Sequence, residues 1–138
     1  MTPRPEVTAF FDPRTFSVQY VVACPQTRDC AIIDPVLDYD EKSGSIKTEN
    51  ADKILALIEK SGLRVAWILD THPHADHLTA AQYLKAKTGA PTAIGEHVRK
   101  VQALWQKLYN LDPGLVHDGY WDRLFADGER FQIGRAHV

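Results

Sequence analysis

Cysteine is scarce in this chain, methionine occurs once, and no apolar run approaches the length of a membrane span. The two cysteines, Cys24 and Cys30, flank a turn-like stretch, Pro-Gln-Thr-Arg-Asp. A cross-hairpin disulfide fits that spacing, but without an export signal the pair reads as two buried or half-buried thiols. The spacing is not CxxC and no histidine lies nearby in sequence, which makes a cysteine metal site a weaker reading than a disulfide. An excess of basic charge is missing as well. Sixteen Lys and Arg face eighteen Asp and Glu, scattered along the chain, for a net charge of -2. That leaves no nucleic-acid or membrane-surface footprint. The start, Met-Thr-Pro-Arg-Pro-Glu, has no apolar h-region, so a cytoplasmic location is expected. What is present suits one globular domain, residues 1–138, with 44% hydrophobic residues to build a core.

Residues 7–11 and 16–24 are rich in β-branched and aromatic types and are separated by Asp-Pro-Arg-Thr, so they read as paired strands. A third strand at 30–34 completes an antiparallel meander. It ends at Asp34-Pro35, which puts the Asp34 carboxylate at a strand's C-terminal end, where open αβ sheets place ligands. Residues 38–50 are polar and read as a long loop. A helix is expected at 51–60, with Ala51, Ile54, Leu55 and Ile58 inward. Thr48 or Asn50 is its candidate cap, and Gly62 takes the left-handed position after it. The apolar run 63–70 predicts a strand buried on both faces.

The next seven residues, Thr71-His72-Pro73-His74-Ala75-Asp76-His77, hold three imidazoles and a carboxylate. Neighbouring imidazoles gain little from one another unless something cationic sits between them, and this ligand set suits zinc or iron. His72 and His74, two apart in extended backbone, project to one side, and Pro73 favours that backbone. Asp76 and His77 follow after the chain turns and can reach a second metal, as a metal-activated displacement requires. Asp76 is the candidate catalytic residue as well as a candidate ligand. A helix over 76–87 is expected, with Ala80, Ala81 and Leu84 inward, Gly89 stopping it, and Asp76 at its positive end. A strand at 91–95 follows. A helix at 96–109 presents Val98, Val101, Trp105 and Leu108 as a core face, with His97 towards solvent. Residues 111–114 and 126–129 read as turns, 117–121 as a loop whose aromatics cover the core, and 130–133 and 136–138 as short strands.

The run His72-x-His74-x-Asp76-His77 after an apolar strand resembles the HxHxDH signature of the metallo-β-lactamase superfamily. Tyr20-Val-Val, Ala31-Ile-Ile-Asp-Pro-Val, Asp38-Tyr-Asp, Trp67-Ile-Leu-x-Thr-His and Ala93-Ile-Gly-Glu extend the resemblance over roughly residues 7–138. They are similar to the branch containing persulfide dioxygenases and β-lactamase-like hydrolases, with glyoxalase II more distant. The resemblance implies an α+β fold, an αββα sandwich of which this chain is the N-terminal half, with the metal site at one edge. In hydrolase members His72 and His74 would bind a first zinc, and Asp76 and His77 a second. In persulfide dioxygenases one iron would take His72, with His74, Asp76 and His77 as neighbours. Asp34 matches a strand-end aspartate that orients the loop from outside the ligand set. The implied substrate is a small thiol-derived molecule, a persulfide or a thioester.

The superfamily's next ligand, a histidine in a Pro-Gly-His-Thr-like turn, has no counterpart in these 138 residues. His117 and His137 lack its flanking residues and read as surface or strand-end histidines. The expectation is therefore a chain stopping before the third ligand motif, with one apolar sheet face uncovered. Such a chain would bind metal weakly, show little activity and self-associate through that face. A binding or assembly module completed by another chain is the reading from outside enzymology.

Overall fold

The computed structural model describes residues 4–115 and 118–137. Strands β1 (Glu6–Asp12), β2 (Ser17–Ala23) and β3 (Asp29–Ile33) form the expected antiparallel meander. Strands β4 (Val36–Tyr39) and β5 (Ile46–Lys47) follow, then helix α1 (Glu49–Ser61) and strand β6 (Arg64–Leu69). After the histidine loop come β7 (Leu78–Thr79), α2 (Ala81–Thr88), β8 (Thr92–Gly95) and α3 (Val98–Tyr109). The last elements are β9 (Arg123–Phe125) and a hairpin of β10 (Gln132–Ile133) and β11 (Ala136–His137).

The main sheet has the order β1-β2-β3-β6-β8-β9. It is antiparallel through the meander and parallel from β3 onward. The shift to parallel pairing follows from the helical crossovers α1 and α2, which return the chain to the same end of the sheet. Strand β9 is absent from the sequence-based expectation, since Arg-Leu-Phe is too short to show a period. On one face Val21, Ala23, Cys30, Ile32 and Ile68 meet Ala51, Ile54 and Ile58 of α1 and Ala81 and Leu84 of α2 in a single core. Gly62 and Gly89 take positive φ of 60° and 73° at the two helix ends, as expected. Both cysteines are buried and free.

The opposite face carries a second apolar set. Register places Ala9, Tyr20, Ile33 and Leu69 in one row, and Val7, Val22, Ala31 and Trp67 in the next. Phe11 pairs with Val18 beside them. Trp67 packs edge-on against Phe125 and Phe131 and donates its indole N–H to the Gln132 carbonyl. Elsewhere this face is open among the described residues; Phe11 and Val7 are each 58% exposed. The expectation that β6 is buried on both sides is thereby corrected: only Ile68 is buried within it. On its second face the apolar run is met only at Trp67, by Phe125, Phe131 and the Gln132 carbonyl, among the described residues. The face expected on α3 is corrected too, because Val98 is buried while Trp105 and Leu108 are exposed. Among the described residues, no helix is long and apolar enough to cross a membrane.

Residues 38–50 are not a plain loop. They complete β4, turn at Asp40, and pair back as β5. The polar character that suggested a loop belongs partly to a buried network. Gln19 accepts from Val36 N–H and donates to Asn50, and Asn50 donates its backbone N–H and side-chain amide to Asp38. Three polar side chains are thus satisfied inside the fold, tying β2, β4 and α1 together. Asn50 therefore sits within α1 rather than capping it, and Thr48, at the cap position, makes no capping hydrogen bond.

Candidate metal centre

The histidine loop, residues 71–77, spans from the end of β6 to β7. Its exit is a strand, not the expected helix, because Leu78 and Thr79 pair with Leu37 and Val36 of β4. Helix α2 starts only at Ala81, so Asp76 lies outside its first turn and the dipole argument for that residue fails. Asp76 still titrates below the ordinary carboxylate value. Partial burial pushes it up, but its own backbone N–H and the imidazoles of His77 and His74 outweigh that.

Asp34 anchors the loop from below. It sits just past β3 with φ of 52°, a left-handed conformation that aspartate tolerates better than most residues. Its carboxylate accepts from Thr71 N–H at 2.7 Å, from the Thr71 hydroxyl at 2.8 Å and from His74 Nε2 at 2.9 Å. These bonds set tautomers. Since the Thr71 hydroxyl gives its only proton to Asp34, its contact with His72 Nδ1 at 2.8 Å requires that nitrogen to donate. The lone pair of His72 is then on Nε2. By the same logic His74 donates from Nε2 and keeps its lone pair on Nδ1, 3.9 Å from Asp76 Oδ1.

The rings adjoin in sequence with centroids 4.2 Å apart, tilted by 53° from His72 to His74 and stacked at 29° from His74 to His77. The His77 side chain is 1% exposed, yet neither ring nitrogen has a hydrogen-bond partner. Nδ1 approaches Asp76 Oδ1 at 3.3 Å without bonding geometry. A buried imidazole left this way costs free energy unless something accepts its lone pair. One donor atom each from His74, Asp76 and His77 lie within 4.8 Å of one another, and the same holds for Asp34, Asp70 and His74. An orphaned imidazole beside an ionised carboxylate fits a cation. His72 is in neither group of three, although its ring adjoins His74.

Asp70 was not singled out in the sequence. It is buried, accepts from the Thr79 hydroxyl at 2.9 Å and from the Trp121 indole at 3.1 Å, and pins the loop's two ends together. Burial raises its carboxyl above the usual range, against the pull of the Trp121 and Thr79 hydrogen bonds and of His74. Its place as the carboxylate directly preceding the histidine run was the available signal; Trp121, 51 positions away, offered none. Trp121 thus serves the site and not simply the core. His97 is exposed, as expected. His117 lies outside the described residues, and of His137 only the backbone, in β11, is described.

Three clefts flank the loop among the described residues. The largest, of about 720 Å³, runs past His74–Leu78 to Arg14, Tyr39 and Lys42. A second, of about 320 Å³, is lined by Asp70, His72, His74, His77 and Trp121. The third, of about 280 Å³, lies between Pro73–Ala75 and α3.

A family model described as the metallo-beta-lactamase superfamily matches residues 12–130. The chain belongs to that superfamily. Among similar proteins, a beta-lactamase hydrolase-like protein of Xylella fastidiosa (strain Temecula1) is 64% identical over 94% of this chain and 30% of its own length. Glyoxylase B2 of Dictyostelium discoideum is 41% identical over 100% of the chain and 48% of its own. Persulfide dioxygenase ETHE1 of Bos taurus is 27% identical over 91% and 38%. The chain thus spans less than half of each of these relatives. The crystal structure of ETHE1 from Myxococcus xanthus shares the fold, with a TM-score of 0.68 and 22% identity over 96% of this chain and 45% of that one. In a metallo-β-lactamase sandwich the layers seen here, one helical layer and a mixed sheet, make up the N-terminal half.

Proposed function

We propose that this chain carries the metal-binding loop of an enzyme acting on a small thiol-derived substrate, and that the leading chemistry is iron-dependent persulfide oxidation. The carrying observation is His77, buried with both ring nitrogens unpartnered beside His74 and Asp76. His72 through Nε2, His74 through Nδ1, Asp76 and His77 are the residues to hold metal. Asp34 holds the rings of His72 and His74 in their tautomers, and Asp70 keeps the loop closed against β7. Arg14 and Lys42 share the largest cleft with Asp40 and Glu41, a mixed-charge lining that suits a zwitterionic, glutathione-like thiol with its carboxylates and ammonium group. A bound metal supplies Lewis acidity and, in the case of iron, oxygen chemistry. The overall conversion takes persulfide, dioxygen and water to thiol, sulfite and two protons.

A relative named persulfide dioxygenase supports that reading, in which His72 is this chain's contribution to a two-histidine, one-carboxylate iron site and His74, Asp76 and His77 are its neighbours. The second reading is zinc-dependent thioester hydrolysis. It is favoured by four candidate ligand residues within six positions, enough to share between two metals, and by the relative named glyoxylase B2. Metal analysis of the purified protein, with oxygen uptake on glutathione persulfide, tests the proposal. Iron with oxygen consumption supports it. Zinc with anaerobic cleavage of a glutathione thioester supports the hydrolase, and failure to take up either metal at saturating concentration sinks both.

A further inference from the structure

The smallest cleft, between the histidine loop and α3, differs in chemistry from the largest. One wall is α3, where Val98, Val101 and Trp105 line it; the chain then brings Leu111 back against it, its N–H bonded to the Gln106 carbonyl. The other wall is Pro73, His74 and Ala75 of the histidine loop. Trp121 closes the end, its ring fixed by the bond to buried Asp70. Among the described residues the lining apart from His74 and Gln102 is apolar, with no charged side chain in it. The largest cleft holds Arg14, Asp40, Glu41 and Lys42. His74 and Ala75 line both, so the two spaces meet at the ligand loop.

We infer that the cleft between the histidine loop and α3 is a specificity pocket for an apolar substituent carried near the substrate's sulfur, resting on the reading of the site as one for thiol-derived substrates. Its volume of about 280 Å³ falls below that of a pocket for a whole drug-sized ligand and suits a side group. Its opening beside His74 puts such a group next to the reacting sulfur, while the zwitterionic end of the molecule lies towards Arg14, Asp40, Glu41 and Lys42. This arrangement also accounts for an apolar stripe on α3 that the core does not use. Trp105 is 47% exposed on the cleft wall, where a ligand can cover it.

Two non-reactive thioethers, S-methylglutathione and S-hexylglutathione, test this by calorimetric titration of the full chain. Each fully buried methylene improves affinity roughly fourfold, so a half-open cleft is expected to favour the hexyl probe by at least about tenfold. Trp105→Ala and Leu111→Ala should each bring the ratio down towards unity, with S-hexyl binding weakened more than S-methyl binding. Leu108→Ser, at a position 67% exposed and not among the cleft residues, should keep the full ratio. Equal affinity for the two probes overturns the inference. So does a ratio that survives both cleft variants, or hexyl binding that disappears as the chain self-associates, which would make a second copy the occupant. Neither probe requires turnover or metal. A length preference without persulfide or thioester activity would keep the pocket and reject the proposed function, and activity without the preference would do the reverse.

Discussion

Replacing His77 with leucine separates what this residue does for folding from what it does for metal. The imidazole is 1% exposed with both nitrogens unpartnered. Leaving a polar group unsatisfied in the interior costs about 1–3 kcal/mol. Leucine is similar in size, so it fills the space without a cavity. The substitution gives up the stacked contact with His74, about 0.5–1 kcal/mol by analogy with aromatic pairs. It leaves Asp76 solvated, since that side chain is 53% exposed. The balance predicts that His77→Leu is more stable than the wild type by about 1 kcal/mol in chelator, a rise in Tm of about 4 °C. With metal the order should reverse. A ligand at 100 times its Kd stabilises the wild type by about 2.7 kcal/mol, and the variant should gain much less. Thermal unfolding with chelator and with saturating zinc or iron measures both arms. A variant clearly less stable than the wild type in chelator would refute the reasoning, because it would mean the imidazole is already satisfied.

Other positions give separate tests. Asp34→Ala loses three hydrogen bonds and forces alanine into φ of 52°; it should cost about 3 kcal/mol in urea unfolding. Asp34→Gly should recover about 1 kcal/mol of that by removing the backbone strain, and no difference between the two would contradict the strain argument. Asp122 is held below its ordinary value of 3.8, first by the Lys85 hydrogen bond and then by Thr92 N–H. A depressed carboxyl stabilises the fold above its unfolded value and loses that as pH falls through the folded one. Asp122→Asn should therefore be less stable than wild type by about 1 kcal/mol at pH 7, with the gap closing below about pH 4; a gap independent of pH would contradict this. Phe11→Ser with Tyr20→Ser should shift the purified chain from a concentration-dependent oligomer to a smaller species in light scattering, whereas a wild-type monomer at all concentrations would remove the open sheet face as a contact surface.

How legible was this in the sequence? The meander, α1 and the helix-ending glycines were readable because each rests on local chemistry: β-branched runs, a 3.6-residue period, and a left-handed turn. The histidine loop was readable because its ligand types are contiguous. What failed depended on distant partners. Leu78 and Thr79 look like the start of a helix until β4 pairs with them, and Asn50 looks like a cap until Asp38 and Gln19 meet it in the interior. Trp105 and Leu108 have the spacing of a core face, but periodicity records only that a helix has an apolar side, not what covers it. Asp70 and Trp121 belong to the site through one hydrogen bond across the fold. That bond has no sequence period to reveal it.

The central claim is that His72, His74, Asp76 and His77 bind metal. The direct measurement is equilibrium dialysis of the chelator-treated chain against zinc and against ferrous iron, alongside a variant with all four residues replaced by alanine. The account predicts that the wild type takes up metal and that this uptake disappears in the variant while the fold persists by circular dichroism. Equal metal uptake by both would contradict it.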